Sequence, residues 1–237
     1  VEGGWKLTGQ KVWTSVAERA DFGICLARTD SDVPQHKGIT YFVVDMKAPG
    51  IEVRPLREIT GEALFNEVFL DEVFVPDDCV VGEPGDGWRL ARTTLANERV
   101  AMASARLGKS VERAVELAGA LDVGPVGRTA VGRAVALATV CSLLGVRTTL
   151  RALDGSGPGA ESSVAKLLGV RSRQDSAELV VRLQDDEIAI LGGIGRDGDG
   201  LSADVWEMLN TRCLSIAGGT TQILRNVAGE RILGLPR

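Results

Sequence analysis

The chain of 237 residues is long enough for one large domain or two smaller ones with hydrophobic cores. Its hydrophobic fraction of 44% and charged fraction of 25% are ordinary for a soluble protein, and a net charge of -5 argues against nonspecific binding to nucleic acid or an anionic membrane. The four cysteines lie far apart and the chain has one histidine, so the sequence offers no zinc-ligand spacing and favours free thiols over disulfides. We expect a cytoplasmic protein without a metal site.

Residues 1–82 have the alternation and turn signals of short β-strands. Five segments rich in β-branched and aromatic residues are predicted as strands: WKLTGQKVWTS (5–15), FGICLART (22–29), ITYFVVDM (39–46), IEVRPLREI (51–59) and LFNEVFLDEVFVP (64–76). Turn-forming stretches separate some of them. In the last segment neither alternating face is cleanly apolar, which a barrel wall lying against helices would tolerate. The pattern predicts an antiparallel β-barrel or sandwich.

From Asp86 onward the hydrophobic period becomes helical. Three long helices are predicted over residues 86–119, 128–153 and 162–184, and a short helix follows a glycine-rich loop near the end. The most apolar run, residues 134–146, is too short to span a bilayer and is predicted as a core helix. The expected fold is α+β: an antiparallel β-domain over residues 1–82, followed by a helical bundle over residues 83–237.

The segment LANERVAMAS (95–104) places a carboxylate on a helical stripe of small apolar residues. With 3.6 residues per turn, Glu98 falls on the same face as Leu95 and Ala101. A carboxylate on an inward-facing stripe is explained either by an ion-pair partner or by a role in function. From these residues alone, an interhelix salt bridge formed by Glu98 and Arg99 is one interpretation, and a functional acid is the other.

Three motifs together carry a family resemblance: GQKVWTS (9–15), FNEVFLDEVFVP (65–76) and IAGGTTQILRNVAGERILG (216–234). In this order and at this spacing they resemble the acyl-CoA dehydrogenases, flavoenzymes that desaturate acyl thioesters. The resemblance covers nearly the whole chain, as that family's middle β-domain and C-terminal helical domain, and the tail is similar to actinobacterial members. The family's N-terminal helical domain has no counterpart in these residues.

The resemblance implies an FAD cofactor beside the strand that reads KVWTS. Trp13 would cover one side of the isoalloxazine ring, Ser15 would hydrogen-bond near N5, and Thr14 lies next to it. A hydroxyl donor at N5 would stabilise the reduced anion that hydride transfer creates. Thr220 and Gln222 align with residues near the cofactor. Without the other motifs, the strand would be interpreted as an edge strand with one tryptophan and two solvated hydroxyls.

The resemblance also assigns a catalytic base. Many members carry it in a Tyr-Glu-Gly-Thr stretch near the C-terminus, but residues 217–220 read AGGT here, and Gly218 cannot accept a proton. Branched-chain and long-chain members instead place the base in a Glu-Arg pair on the helix after the β-domain, which Glu98 and Arg99 match. Glu98 would remove the α-proton while a hydride passes to flavin N5, and Arg99 would help keep Glu98 deprotonated. The backbone N–H of Gly218 and a ribityl hydroxyl would hydrogen-bond the thioester oxygen.

Two departures from the family pattern concern the partner subunit. Members of the family share cofactors across a dimer through an Arg-x-x-Phe-Gly motif and a Gln-x-x-Gly-Gly motif. Residues 120–132 lack the first, and the second survives here only as Gly192 and Gly193, with Ala189 where the glutamine would be. The resemblance implies a dimer or tetramer, either a heteromer with a related subunit or a homo-oligomer whose sequence has diverged. It also implies an acyl-CoA substrate in fatty-acid or related lipid oxidation, and an electron-transfer flavoprotein or similar acceptor.

Two other functions remain open at this point. One is a non-catalytic subunit that keeps the fold and stabilises an active relative. The other is a flavin monooxygenase, or an enzyme resembling nitroalkane oxidase, on the same scaffold. Small residues around Glu98, such as Ala96 and Ala103, favour room for a bulky acyl group, but the acyl chain cannot be read from the sequence.

Overall fold

The computed structural model describes residues 1–101, 108–153, 159–184 and 202–236, apart from the side chains at 96–101 and 152. The described residues form two compact units, Val1–Thr94 and Leu95–Arg237. The first holds the β-strands and the second holds most of the helices, so the predicted α+β class is confirmed. The predicted domain boundary between residues 82 and 83 stays a prediction.

The first unit consists of two antiparallel sheets around one core. Its strands are β1 (Gly4–Ser15), β2 (Phe22–Arg28), β3 (Ile39–Asp45), β4 (Ile51–Leu56) and β5 (Phe65–Pro76). One sheet has the order β1-β5-β4, and the other pairs β2 with β3. The core is apolar and is built from Ala17, in a 3-10 turn after β1, and from inward-facing strand residues: Leu7, Cys25, Phe42, Val44, Val68, Leu70, Val73 and Val75. All four cysteines are free thiols, as the sequence predicts.

A β-bulge explains why neither alternating face of β5 is cleanly apolar. Leu7 pairs with Val73, but Gly9 pairs with Leu70, so β5 has one more residue than β1 across this interval. Glu72 absorbs the extra residue in a left-handed conformation with φ 48. Leu70 and Val73 therefore both face the core although they are three residues apart. The alternation is strict on each side of the bulge and changes phase across it.

Helix α1 (Gly87–Ala101) begins against strand β3. Gly87 is required there, because a Cβ at this position would lie 2.7 Å from the carbonyl oxygen of Ile39. Two turns later the hydroxyls of Thr94 and Tyr41 lie 3.3 Å apart in a hydrogen bond. These two contacts hold the first two turns of the helix against β3.

The single helix predicted over residues 86–119 is wrong. The structure has α1 and a separate helix α2 (Lys109–Ala120), which starts after Gly108. Gly108 has φ 99 and ψ 143, a backbone conformation that does not occur within a right-handed helix. Because the residues on both sides keep helical periodicity, the sequence pattern alone does not show this break.

The remaining helices of the second unit are α3 (Gly124–Leu153), α4 (Glu161–Leu183), α5 (Ala203–Asn210) and α6 (Thr221–Arg231). Helix α3 begins inside the turn predicted over residues 122–127, because Pro125 falls in the first helical turn, where a backbone N–H has no intrahelical acceptor. Two short helices, rather than the one predicted, follow residue 201 in the described chain. Helix α4 is central and packs against α2, α3, α5 and α6.

Helix α3 has one packed face and one exposed apolar face. Val131 and Ala138 are buried, so the predicted core helix is correct for that face only. The opposite face carries four exposed apolar side chains, here called the α3 outer stripe: Val140, Leu143, Val146 and Leu150. Among the described helices, α3 is the one whose length and composition would suffice to cross a membrane, over Gly124–Arg151, and 17% of its most apolar window is buried.

Candidate active site

The end of strand β1 is an irregular ribbon that carries the predicted flavin-binding residues. Lys11 pairs with Val68 and Thr14 pairs with Asn66, so β1 has an extra residue here, in a second bulge. Trp13 occupies that bulge with φ 63, in the left-handed region. A bulky side chain in this region costs roughly 1–2 kcal/mol. The backbone therefore holds the Trp13 ring at a position that ordinary strand geometry would not give it.

The Trp13 ring presents an open face. Its side chain is 64% exposed, and the only described aromatic ring that it contacts is that of Phe65, edge-on, with the centroids 6.0 Å apart and the planes at 78°. Thr14 is half-buried and Ser15 is exposed. Neither hydroxyl forms a hydrogen bond to another residue in the described part of the chain. An aromatic face and two available hydroxyl donors thus stand together at one end of β1.

Two features beside Thr14 were not predicted from the sequence. A cavity of about 290 Å³ opens between β1 and β2, where the Lys11 ammonium donates to the carbonyl oxygen of Leu26 at 2.6 Å. Asn66, opposite Thr14, is completely buried; its Oδ1 accepts from the backbone N–H of Glu18 at 3.4 Å, and its Nδ2 has no partner among the described residues. The one available signal for Asn66 was an amide that alternates with the apolar residues Val68 and Leu70.

In the second unit, the predicted residues at the C-terminal end lie in a loop and the helix after it. The loop spans residues 216–220 and joins a 3-10 turn, Thr211–Ser215, to α6. Gly218 and Gly219 have φ values of 62 and 108, which favour glycine. Thr220 caps α6, because its Oγ1 accepts from the backbone N–H of Ile223 at 3.3 Å. Gln222 is exposed in the first turn of α6.

Lys166 on α4 binds the backbone of this loop. It was not identified from the sequence. Its side chain is almost fully buried, with 7% exposed. The ammonium donates hydrogen bonds to the carbonyl oxygens of Ala217 and Gly219, the latter at 2.6 Å. The signal that would have identified it is a lysine inside the apolar run VAKLLGV, because a buried ammonium requires acceptors.

A second polar contact fixes the turn that precedes the loop. Arg212 donates to the Glu178 carboxylate at 2.8 Å and, through Nε, to the carbonyl oxygen of Met208 at 3.0 Å. Arg182 reaches the other Glu178 oxygen at 2.8 Å. The hydrogen bond from Arg212 lowers the pKa of Glu178; burial opposes this shift, and the charges of both arginines reinforce it. The loop around Gly218 is thus tied to α4 directly at Lys166, and the turn before it is tied to α4 at Glu178.

Several predicted site residues stay predictions. Glu98 and Arg99 lie on the last turn and a half of α1, and their side chains are outside the described residues. Gly192 and Gly193 also lie outside the described residues. The structure brings Trp13, Thr14 and Ser15 together in the first unit and brings Gly218, Thr220 and Gln222 together in the second.

Comparison with known sequences gives the family. The sequence model of the acyl-CoA dehydrogenase middle domain matches residues 1–73, and that of the acyl-CoA dehydrogenase C-terminal domain matches residues 85–233. This chain belongs to the acyl-CoA dehydrogenase family. The resemblance carried by the three motifs is thereby confirmed, and the family is one of flavin-dependent oxidoreductases.

Two mycobacterial proteins are similar over almost the whole chain. Acyl-CoA dehydrogenase FadE34 of Mycobacterium tuberculosis is 56% identical over 239 residues, which cover 100% of this chain and 32% of the relative. Acyl-CoA dehydrogenase IpdE1 of the same organism is 36% identical, over 98% of this chain and 60% of the relative. This acyl-CoA dehydrogenase chain therefore spans about one third of the first relative's length and about three fifths of the second's.

Two solved structures of the family are also similar. The Tcur3481-Tcur3483 steroid ACAD has a TM-score of 0.89 at 26% identity, over 100% of this chain and 62% of that chain. The ChsE4-ChsE5 complex from Mycobacterium tuberculosis has a TM-score of 0.83 at 26% identity, over 100% of this chain and 63% of that chain. Each of these neighbours is named for two components, and the second is named as a complex.

Proposed function

We propose that this chain is part of an FAD-dependent acyl-CoA dehydrogenase that introduces a double bond between the α- and β-carbons of an acyl-CoA thioester. Membership of the family supports the reaction class. The observation that carries the proposal is the end of β1, where the bulge presents the open Trp13 ring beside the hydroxyls of Thr14 and Ser15. A solvent-exposed indole held in a strained backbone is unfavourable for an isolated fold and is explained by a ligand that covers it.

The residues at the end of β1 fit a flavin. The exposed indole face offers a stacking surface for a planar ring system, and the Thr14 and Ser15 hydroxyls are available as donors to its nitrogen and oxygen atoms. Trp13, Thr14 and Ser15 would hold the isoalloxazine, and Thr220 and Gln222 would lie near the cofactor. FAD bound by these residues supplies the acceptor for the hydride that leaves the β-carbon.

The acid–base part of the reaction falls to Glu98. A carboxylate held over the α-carbon can remove its proton, and Gly218 has no side chain to do so. The contacts of Gly87 and Thr94 with β3 fix the start of the helix that carries Glu98. The backbone N–H of Gly218 would donate to the thioester oxygen, which makes the α-proton more acidic. Arg99, next to Glu98, would favour its ionised form.

The substitution Glu98→Gln tests the proposal. General bases contribute on the order of 10²–10⁴ in rate, so kcat for the best acyl-CoA substrate is expected to fall by at least about 100-fold. The assay uses the complete protein with any co-purifying subunit, an artificial electron acceptor, and straight, branched and ring-bearing acyl-CoA thioesters. Glu83→Gln, at an exposed carboxylate of the first unit, is the matched control and should leave kcat unchanged. Wild-type turnover by Glu98→Gln would show that the base lies elsewhere.

A cofactor-sharing heteromer is the second candidate, and it has its own support. The α3 outer stripe exposes apolar surface of the kind that a second subunit covers. The two solved neighbours are named as pairs of subunits, and residues 120–132 lack the family motif that reaches a partner's cofactor. In this arrangement the chain supplies the base and one flavin face, a related subunit supplies the crossing groups, and an electron-transfer flavoprotein or similar acceptor reoxidises the flavin.

A further inference from the structure

Lys166 lies directly behind the peptide group that contains the proposed oxyanion donor. The carbonyl oxygen of Ala217, which accepts from the Lys166 ammonium, belongs to the same peptide unit as the N–H of Gly218. In a trans peptide the C=O and N–H bonds point in opposite directions. A cation that holds the Ala217 oxygen therefore aims the Gly218 N–H away from α4.

A second hydrogen bond from Lys166 restricts the backbone of the loop further. The same ammonium donates to the carbonyl oxygen of Gly219 at 2.6 Å, so Lys166 grips the chain on both sides of Gly218. Gly218 and Gly219 both have positive φ values, where glycine adopts many conformations at little cost, so two anchored carbonyl oxygens restrict the conformations open to this segment. One buried ammonium thus anchors the two peptide groups whose carbonyl oxygens belong to Ala217 and Gly219.

The ammonium also changes the donor strength of the peptide. Hydrogen bonds in series polarise one another, and a charged donor on the carbonyl oxygen draws electron density from the amide nitrogen. The Gly218 N–H then becomes a stronger donor to an oxygen that gains negative charge. The low exposure of Lys166 keeps water from screening this effect.

We propose that Lys166 is a positioning residue for the dehydrogenation, which orients and polarises the Gly218 N–H toward the thioester oxygen of the acyl-CoA. This inference rests on the proposed function and assigns a role to a residue that does not itself touch substrate. Glu178 and Arg212 support the loop from the preceding turn, through hydrogen bonds of the Arg212 side chain to Glu178 and to the carbonyl oxygen of Met208. Lys166, in contrast, binds peptide groups of the loop itself.

The test compares Lys166→Met, Lys166→Gln and Lys166→Arg with the wild type in the complete flavin-bound protein. The control is Lys109→Met, which removes an exposed ammonium at the start of α2 in the same unit. The spectroscopic probe is the 3-oxoacyl-CoA of the acyl group that the wild type oxidises fastest. It binds as an enolate whose long-wavelength charge-transfer absorption with oxidised flavin reports stabilisation of the negative oxygen without turnover. Flavin content and thermal midpoint are measured for every variant.

We expect Lys166→Met to lower both the enolate fraction at fixed pH and kcat by about tenfold, while KM changes by less than about twofold. Lys166→Gln should behave like Lys166→Met, Lys166→Arg should recover most of the enolate signal, and Lys109→Met should match the wild type. A Lys166→Met protein with wild-type enolate absorption overturns the proposal. The proposal is also overturned if both Lys166→Met and Lys166→Gln fail to bind flavin, because Lys166 would then be needed only for folding.

The same experiment separates the two proposals. If the wild type oxidises acyl-CoA and forms the enolate but the Lys166 variants are indistinguishable from it, the dehydrogenase stands and the role of Lys166 is rejected. If the wild-type protein, with its partner present, oxidises none of the thioesters, the proposed function itself is rejected and the role of Lys166 falls with it.

Discussion

Trp13 has an unfavourable backbone conformation and an exposed indole ring. Its φ of 63 is unfavourable for a bulky residue, and its side chain packs against Phe65 only at an edge. Neither property stabilises the β-unit, so the residue is better explained by what its ring can bind. The motif predicted the position of Trp13, but its conformation could not be predicted, because the bulge depends on the register between β1 and β5.

The substitution Trp13→Gly separates these two effects. Glycine adopts positive φ without strain, which offsets the loss of the edge contact with Phe65. The free energy of unfolding is therefore expected to stay within about 1 kcal/mol of the wild type. FAD bound per chain should fall at least about tenfold, measured by flavin absorbance after gel filtration at limiting FAD.

Phe22→Ala is the control for Trp13→Gly, because Phe22 is a comparably exposed aromatic residue in the same unit, at the start of β2. It should leave flavin binding unchanged. Retention of full FAD by Trp13→Gly would remove Trp13 from the proposed cofactor site.

At the scale of single elements, local patterns predicted the strands and two of the three long helices. The predictions failed where a single glycine or an extra residue changed the geometry. Gly108 ends a helical pattern that continues on both sides, and Glu72 changes the phase of β5. The bulge at Glu72 depends on the register between β5 and β1, and neither this register nor the backbone conformation of Gly108 is contained in hydrophobic periodicity.

The residues of the candidate site also fall into two groups, those that the sequence predicted and those that it did not. Residues that belong to a local motif, such as Gly218, were identified from the sequence. Lys166 and Glu178 were not, because each acts on a segment more than 30 residues away in the chain. Contacts of this kind become visible only when α4 is placed beside the C-terminal loop.

The contact between Glu178 and Arg212 makes a prediction about pH. The pKa of Glu178 is lowered in the folded protein from its ordinary value of 4.5, so its stabilisation is present above that value and is lost as pH falls through the folded pKa. Glu178→Gln should lower the free energy of unfolding at pH 7 by up to about 1 kcal/mol, since partial exposure of the pair screens it. The difference from the wild type should shrink as pH falls below 4.5 and vanish once the pH lies below the folded pKa of Glu178.

Urea unfolding measured between pH 3 and pH 8 checks this pH dependence. Asp175→Asn is the control, because Asp175 forms a more exposed ion pair with Arg171 on the same helix and should have a smaller effect. A Glu178→Gln protein whose stability deficit is constant across the pH range would contradict the proposed ionic contribution.

At the scale of the whole molecule, the α3 outer stripe and the missing crossing motif point to the same assembly. An exposed stripe of Val140, Leu143, Val146 and Leu150 favours association with a second subunit. If that subunit is a related chain that shares one cofactor with this one, purified complex should contain about one FAD for each pair of chains. Native mass spectrometry with flavin absorbance measures this ratio. One FAD in every identical subunit would exclude the heteromer.

The left-handed backbone at Gly218 also limits how this protein could change over generations. A glutamate introduced there by mutation would inherit a φ of 62, which costs a side-chain-bearing residue on the order of 1 kcal/mol. An acid restored at this position would therefore reduce the stability of the folded protein unless the backbone of the loop changed with it.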